Sequence, residues 1–300
     1  MLNDLKNAFR KPNNALTQII IINVIGWVAI NLIYVISPSF FKTFSKFLFV
    51  SGSLTELMFH PWTVLTYAFS HHDLLHIVFN MLTLYWFGML VSEYLNSKRL
   101  ISLYVLGALA GAVSYILIYN FFPGAKTGMG GTMLGASGAV FAVVVGAATL
   151  MPNYSFHLIF IGPVRIKYIA ALLVLLSVFQ LRGMNAGGQV AHLGGALMGY
   201  LFVVSLNRGT DLGGWIHYII DGFTGLFRKK SKMKVTYRSK VAANAGTNYA
   251  NANRNSVNAG NGTPDQAEID AILDKISESG YESLSKEEKQ QLFNASKKEK

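Results

Sequence analysis

Three short stretches in an otherwise apolar chain carry side chains that can do chemistry. They are Ser70-His71-His72-Asp73-Leu74-Leu75-His76-Ile77-Val78-Phe79-Asn80, Gly135-Ala136-Ser137-Gly138 and Ala191-His192-Leu193-Gly194-Gly195. His72, His76 and Asn80 recur every four residues, which places them on one face of a helix, while His71 and His72 themselves read as residues of an interfacial, solvated loop. A serine hydroxyl is a weak nucleophile until a neighbouring base takes its proton, and histidine is the usual base near neutral pH. Ser137 and His192 therefore make a candidate catalytic dyad for amide hydrolysis. That reaction passes through a tetrahedral oxyanion, which needs donors already in place. The side chains of His76 and Asn80 and the backbone N–H of Ser137 are the available set. Loss of one such donor costs around 3 kcal/mol in the barrier. His72 and His76 also have the i, i+4 spacing of metal ligands, but the His-Glu-x-x-His pattern is absent, so neither a metal nor any other cofactor is expected.

The elements that must position these residues follow from composition. The chain has 300 residues, of which 52% are hydrophobic and only 14% charged, whereas about a quarter of a typical soluble chain is charged. A membrane protein is the first reading, and polar residues within its spans are functional candidates by default. Cysteine is absent, which excludes disulfides, a cysteine nucleophile and thiolate-bound metal. Six apolar runs qualify as helices at roughly Thr17 to Ile36, Leu74 to Val91, Ile101 to Phe122, Ser137 to Met151, Tyr168 to Leu181 and Val190 to Leu206. The first follows Lys6, Arg10 and Lys11 and is read as a retained helix rather than a signal peptide. With that start inside, Lys98, Arg99, Arg165, Lys167, Arg208 and the Arg228 to Lys240 cluster all fall in inner loops. Lys42, Lys46, Lys126 and Arg182 fall outside. The asymmetry fits both termini in the cytosol of a bacterial cytoplasmic membrane.

In this topology the second, fourth and sixth spans all begin at the outer face, so His76, Asn80, Ser137 and His192 lie at similar depth. Asn80 is seven residues past Asp73, roughly 10 Å along a helix. Gly138, Ala142 and Gly146 form one stripe of small residues, and Ala191, Gly195 and Gly199 form another. Such stripes let membrane helices meet backbone to backbone, which would bring Ser137 near His192.

The net charge of +11 has its own distribution. Trp215, Ile216, Ile219, Ile220, Phe223, Leu226 and Phe227 recur at helical spacing ahead of Arg228, Lys229 and Lys230, the pattern of an amphipathic helix on the inner leaflet. Membrane lipid rather than nucleic acid is the expected partner of this basic region, which occupies residues 211–240. Residues 241–263, rich in Asn, Ala, Gly and Ser, read as a flexible linker. In residues 264–300, Thr263-Pro264, Gly280 and the Ser285/Glu288 capping box mark out a small cytosolic helical hairpin, with Ile269, Ile272, Leu273, Ile276, Leu284, Leu292 and Phe293 available for its core. A docking surface for a cytosolic protein and a passive tail both fit this hairpin.

The three motifs, on the expected spans and in this order, resemble the rhomboid family of intramembrane serine proteases over residues 1–210. The resemblance implies an all-α, six-helix membrane bundle with Ser137 as nucleophile, His192 as general base, and His76 with Asn80 at the oxyanion. It also implies substrates that are membrane-spanning proteins, cut near the outer end of a helix that unwinds easily. Two positions depart from the family pattern. The first outer loop has Trp62-Thr63 where the family commonly has Trp-Arg, and the aromatic one turn after the serine is Phe141 rather than tyrosine. No acidic third member is evident, so packing is expected to orient His192. A non-catalytic rhomboid-like protein that binds membrane helices is the rival reading, and a polar-lined transporter is a more remote one that lacks inverted repeats and paired intramembrane acids.

Overall fold

The structure, a computed structural model, describes residues 8–9, 13–122, 131–158, 161–183, 185–227 and 266–296. The chain divides into two compact units, 1–230 and 231–300.

The first unit is a helical bundle. Its elements run α1 (Ala15–Ile36), α2 (Pro38–Phe44), β1 (Val50–Ser51), α3 (Leu54–Phe59), α4 (Thr63–Thr66), α5 (Leu74–Leu95), α6 (Ser97–Phe121), β2 (Thr132–Met133), α7 (Ser137–Leu150), β3 (Ser155–Leu158), β4 (Gly162–Arg165), α8 (Ile166–Phe179), α9 (Ala186–Asn207) and α10 (Gly214–Phe227). By length and composition α1, α5, α6 and α9 can each cross a membrane. The fourth and fifth expected runs form α7 and α8, each of 14 residues and shorter than a full crossing requires. Outward faces of the long helices are apolar, with Val35, Ile36, Phe79, Tyr94 and Phe121 exposed, as a lipid-facing surface requires.

Local chemistry sets the helix ends. Asp73 caps α5, its carboxylate accepting from the His76 N–H at 2.8 Å, which fixes where the helix carrying His76 and Asn80 begins. Asn96, at φ 89°, is the single residue between α5 and α6, and its side chain accepts from the Arg99 N–H. Lys98 and Arg99, expected in a loop, therefore lie in the first turn of α6. There Lys98 pairs with Asp221 at 2.9 Å and Arg99 lies 3.8 Å from Asp211. The Ser102 hydroxyl donates to the Gly213 carbonyl and is 3.1 Å from His217 Nε2, so α10 is tied to α6. Ile216 of α10 is buried while Trp215, Tyr218 and Ile219 face outward.

The centre of the unit is built from small residues. A Cβ on Gly195 would run into the backbone carbonyl of Gly138, and one on Gly199 into that of Ala142, so α7 and α9 touch backbone to backbone. Between helices in lipid, van der Waals contact replaces the hydrophobic drive, and glycine maximises it. Two buried tyrosines are paired here: the Tyr67 hydroxyl donates to the Ala108 carbonyl, and the Tyr104 hydroxyl donates to the Ala68 carbonyl, both at 2.7 Å. Asn23 of α1 donates to the Tyr104 oxygen at 3.1 Å, so three elements meet at one hydroxyl.

The second unit contains α11 (Gln266–Ser279) and α12 (Lys286–Ser296), joined by residues 280–285, which open with Gly280 at φ 81° and include a 3-10 turn at Tyr281–Ser283. The Ser285 hydroxyl accepts from the Glu288 N–H and the Glu288 carboxylate accepts from the Ser285 N–H, a reciprocal cap. Lys275 reaches both Glu288 oxygens at 2.9 and 3.0 Å, and its hydrogen bonds with those from Ser285 hold that carboxyl below its usual range. Ile272 and Leu284 are buried, whereas Leu273 and Phe293 stay about half exposed, so the shared core is smaller than the apolar spacing suggests. The Arg228 to Lys240 cluster, the 241–263 linker and the Thr263-Pro264 cap lie outside the described residues.

Candidate active site

Ser137 is the first residue of α7, where N–H groups have no intrahelical acceptor. The two residues before it spend their own N–H groups: Gly135 donates to the Tyr67 carbonyl at 2.9 Å and Ala136 to His71 Nε2 at 3.2 Å. Gly135 has φ +117°, and a Cβ there would meet the His76 ring at 2.6 Å. Glycine is thus required both for the backbone turn and for the close approach of His76 to the loop bearing Ser137.

His192 stands on α9. Its ring stacks on Phe141, one turn beyond Ser137 on α7, with centroids 4.2 Å apart and planes 8° apart. The phenylalanine keeps the stacking surface despite the departure from tyrosine. Packing is not the sole influence on the ring, contrary to expectation. Gln189 Oε1 and Ser177 Oγ each lie 3.1 Å from His192 Nδ1. Gln189 sits one turn before His192, and i, i+3 spacing on a helix was the signal that could have found it. Ser177 comes from α8, which no local pattern links to His192.

The oxyanion candidates have different surroundings. His76 lines the cavity beside the Ser137 loop. Asn80 is buried, and its amide nitrogen donates to the His76 carbonyl at 3.0 Å and lies 3.3 Å from His71 Nε2. Both amide hydrogens are therefore directed at groups of the protein. His71, expected in a solvated loop, is instead fully buried at 0% exposure. Burial, reinforced by the neighbouring His76, pushes its imidazole down to about 3, so it is neutral. Because Nε2 accepts from Ala136, the ring proton belongs on Nδ1, which has no hydrogen-bond partner. His72 lies apart from this group, packed edge-on to Tyr34 and stacked on Phe41.

Ser137, His192, His76 and Asn80 line one cavity of about 500 Å³, with Phe141, Val140 and Leu173 among its apolar walls. The loop between α1 and α5 is held without the Arg of the family pattern. Trp62 Nε1 donates to the Phe47 carbonyl, Thr63 Oγ1 to the His60 carbonyl, and Thr66 Oγ1 to the Leu48 carbonyl. Asn120 of α6 donates to the Gly52 carbonyl, and β1 pairs with β2 in antiparallel register, Val50 opposite Met133. Among the described residues, no group of three His, Asp or Glu side chains is placed to hold a metal ion.

Residues 58–208, half of the chain, match the Rhomboid domain family and contain all four cavity residues. The chain belongs to the rhomboid family. Relatives include the RHOMBOID-like protein 12, mitochondrial, of Arabidopsis thaliana, 32% identical over 49% of this chain and 47% of that protein. Rhomboid protein 1, mitochondrial, of Saccharomyces cerevisiae is 34% identical over 45% of this chain and 39% of its own length. The presenilin-associated rhomboid-like protein, mitochondrial, of Rattus norvegicus is 29% identical over 55% and 43% respectively. The rhomboid chain thus spans less than half the length of these relatives. Their mitochondrial setting overturns the expected bacterial cytoplasmic membrane, and with it the placement of both termini in a bacterial cytosol. Membrane helices and basic flanks report a bilayer, not which one. Residues 261–298 match a second family, of unknown function (DUF6576).

Proposed function

We propose that this rhomboid protein is an intramembrane serine endopeptidase that cleaves membrane-spanning proteins near the pole where α5, α7 and α9 begin. The supporting observation is that Ser137, His192, His76 and Asn80, scattered over more than a hundred residues, line one cavity at the N-terminal ends of three helices. His192 takes the Ser137 proton as Oγ bonds to the scissile carbonyl carbon, and the carbonyl π pair moves onto oxygen. The Ser137 N–H and His76 then face the oxyanion. Asn80 joins them by turning one amide hydrogen from His71 to the oxyanion, since His71 Nε2 keeps its bond from Ala136. Collapse returns the proton from His192 to the leaving amine. Water then repeats the sequence on the acyl-enzyme and releases the carboxylate product.

Six crossings complete this reading. α7 and α8 rise only about 21 Å each, less than the hydrocarbon thickness. α7 is enclosed by α5, α6 and α9, so it need not meet both headgroup layers itself. Ser137→Ala is expected to abolish cleavage of a reporter transmembrane protein and labelling by a fluorophosphonate, with yield and melting temperature unchanged. Cleavage that persists in the purified variant would remove the assignment. A non-catalytic role in binding membrane helices predicts instead that the parent protein neither labels nor cleaves.

A further inference from the structure

The site holds a polar relay that the motifs do not mark. Gln189 is 8% exposed and places Oε1 3.1 Å from His192 Nδ1, while its Nε2 donates to Gln180 Oε1 at 3.1 Å. A primary amide offers one acceptor oxygen and one donor nitrogen. With the nitrogen committed to Gln180, the group facing Nδ1 is an acceptor, so Nδ1 carries the imidazole proton. Ser177, 2% exposed, adds a hydroxyl oxygen at 3.1 Å from the same atom. Neither Gln189 nor Ser177 lines the cavity, whereas His192 does, so the Nδ1 edge faces away from it and the Nε2 edge faces in.

A neutral imidazole has one N–H, and a general base needs its lone pair on the nitrogen that meets the nucleophile. We propose that Gln189, itself held by Gln180, is a positioning residue that fixes the Nδ1–H tautomer of His192 and keeps the Nε2 lone pair available for the Ser137 proton. The amide occupies the place where a soluble serine protease puts a carboxylate. A carboxylate buried in a bilayer carries a large desolvation cost, while an oriented amide dipole selects the same tautomer without a charge. The proposal rests on the dyad reading of Ser137 and His192.

The test uses the purified full chain in lipid vesicles and compares Gln189→Leu, close in size but without an acceptor, with Gln189→Glu, whose carboxyl, kept protonated by burial, retains an acceptor oxygen without a charge. Three quantities are read: the rate of fluorophosphonate labelling, kcat and KM on a reporter transmembrane protein, and the His192 tautomer by ¹⁵N NMR. Gln189→Leu is expected to lower labelling rate and kcat about tenfold, the lower end for losing a histidine-orienting partner, because Ser177 remains. KM stays at the parental value, the Nε2–H tautomer becomes populated, and Gln189→Glu recovers most of the rate. Loss of packing alone would lower the melting temperature without changing the tautomer. Parental labelling, kcat and tautomer in Gln189→Leu would overturn the proposal. Should that variant fail to fold, Gln180→Leu, at an exposed residue, takes its place with a smaller change in the same direction, and parental values there overturn it equally. Ser137→Ala, run in parallel, separates the two claims. If Ser137→Ala is inactive and Gln189→Leu is parental, only the positioning role fails; if Ser137→Ala is active, the dyad itself fails.

Discussion

Gly195→Ala adds one methyl group where the structure has no room for it. The new Cβ would overlap the backbone carbonyl of Gly138, the residue next to Ser137, and Gly195 is one turn beyond His192 on α9. A backbone oxygen cannot rotate aside as a flexible side chain can, so α7 and α9 must separate at the level of the dyad. Relieving the overlap requires a shift on the order of 1 Å, a misplacement of reacting groups that can cost about 10²-fold in rate. Inserting a methylene-sized group into a packed interior costs about 1–3 kcal/mol of stability. The expected result is a folded protein whose melting temperature falls by a few degrees but whose fluorophosphonate labelling and kcat fall about 100-fold. Gly214→Ala is the control, because a Cβ there has no neighbour within 4 Å. The reasoning fails if Gly195→Ala labels and cleaves at the parental rate, or if Gly214→Ala loses as much activity.

Two further predictions test the groups around the oxyanion. Asn80→Ala is expected to lower kcat by about 10²-fold with membrane insertion unchanged, the cost of one oxyanion donor; parental turnover would remove Asn80 from that role. His71 supplies a pH dependence of stability, because the folded protein holds it at about 3 and the unfolded chain near 6.5. Between these values the unfolded state binds more protons, so the stability contribution is complete above about pH 6.5 and is lost as pH falls, by at most about 1.4 kcal/mol per pH unit. Melting of the parent should therefore drop from about pH 7.5 to about pH 4.5 more steeply than that of His71→Gln, and parallel profiles would show that His71 does not titrate on unfolding.

Much of the site was legible in the sequence, for an identifiable reason. His76 and Asn80 recur at helical spacing, Ser137 opens an apolar run and His192 sits among small residues, so period and polarity alone place them on helices at similar depth. Gly138 and Gly195 announced the contact between α7 and α9, because a stripe of small residues has little use in lipid other than close approach. The tertiary partners were not legible. Ser177 reads as one more small residue of an apolar helix until α8 is packed beside α9, and Gln180 acquires a role only through Gln189. His71 looked solvated because it neighbours His72 and Asp73; its burial depends on the Ser137 loop folding over it, a contact 65 residues away in the chain. Lys98 and Arg99 looked like loop residues because two charges in succession usually interrupt an apolar helix. Asn96 makes the turn alone, and the charges instead open α6 against Asp221 and Asp211.

The same physics accounts for the chemistry these neighbours share. Every group argued to tune the dyad is uncharged: His71 is neutral by burial, Gln189 and Asn80 are amides, and Ser177 is a hydroxyl. In water a carboxylate is an inexpensive way to orient an imidazole, but in a bilayer its desolvation exceeds what orientation returns. Neutral donors and acceptors avoid that cost only when their geometry is fixed, since an amide that turns over presents the opposite dipole. The structure fixes three of them through a second bond: Gln189 through Gln180, Asn80 through the His76 carbonyl, and His71 through the Ala136 N–H. A site of this kind trades charge for connectivity. It should therefore tolerate exchange of one neutral hydrogen-bonding group for another, such as Gln189→Glu with its carboxyl kept protonated by burial, better than removal of a link, as in Gln189→Leu.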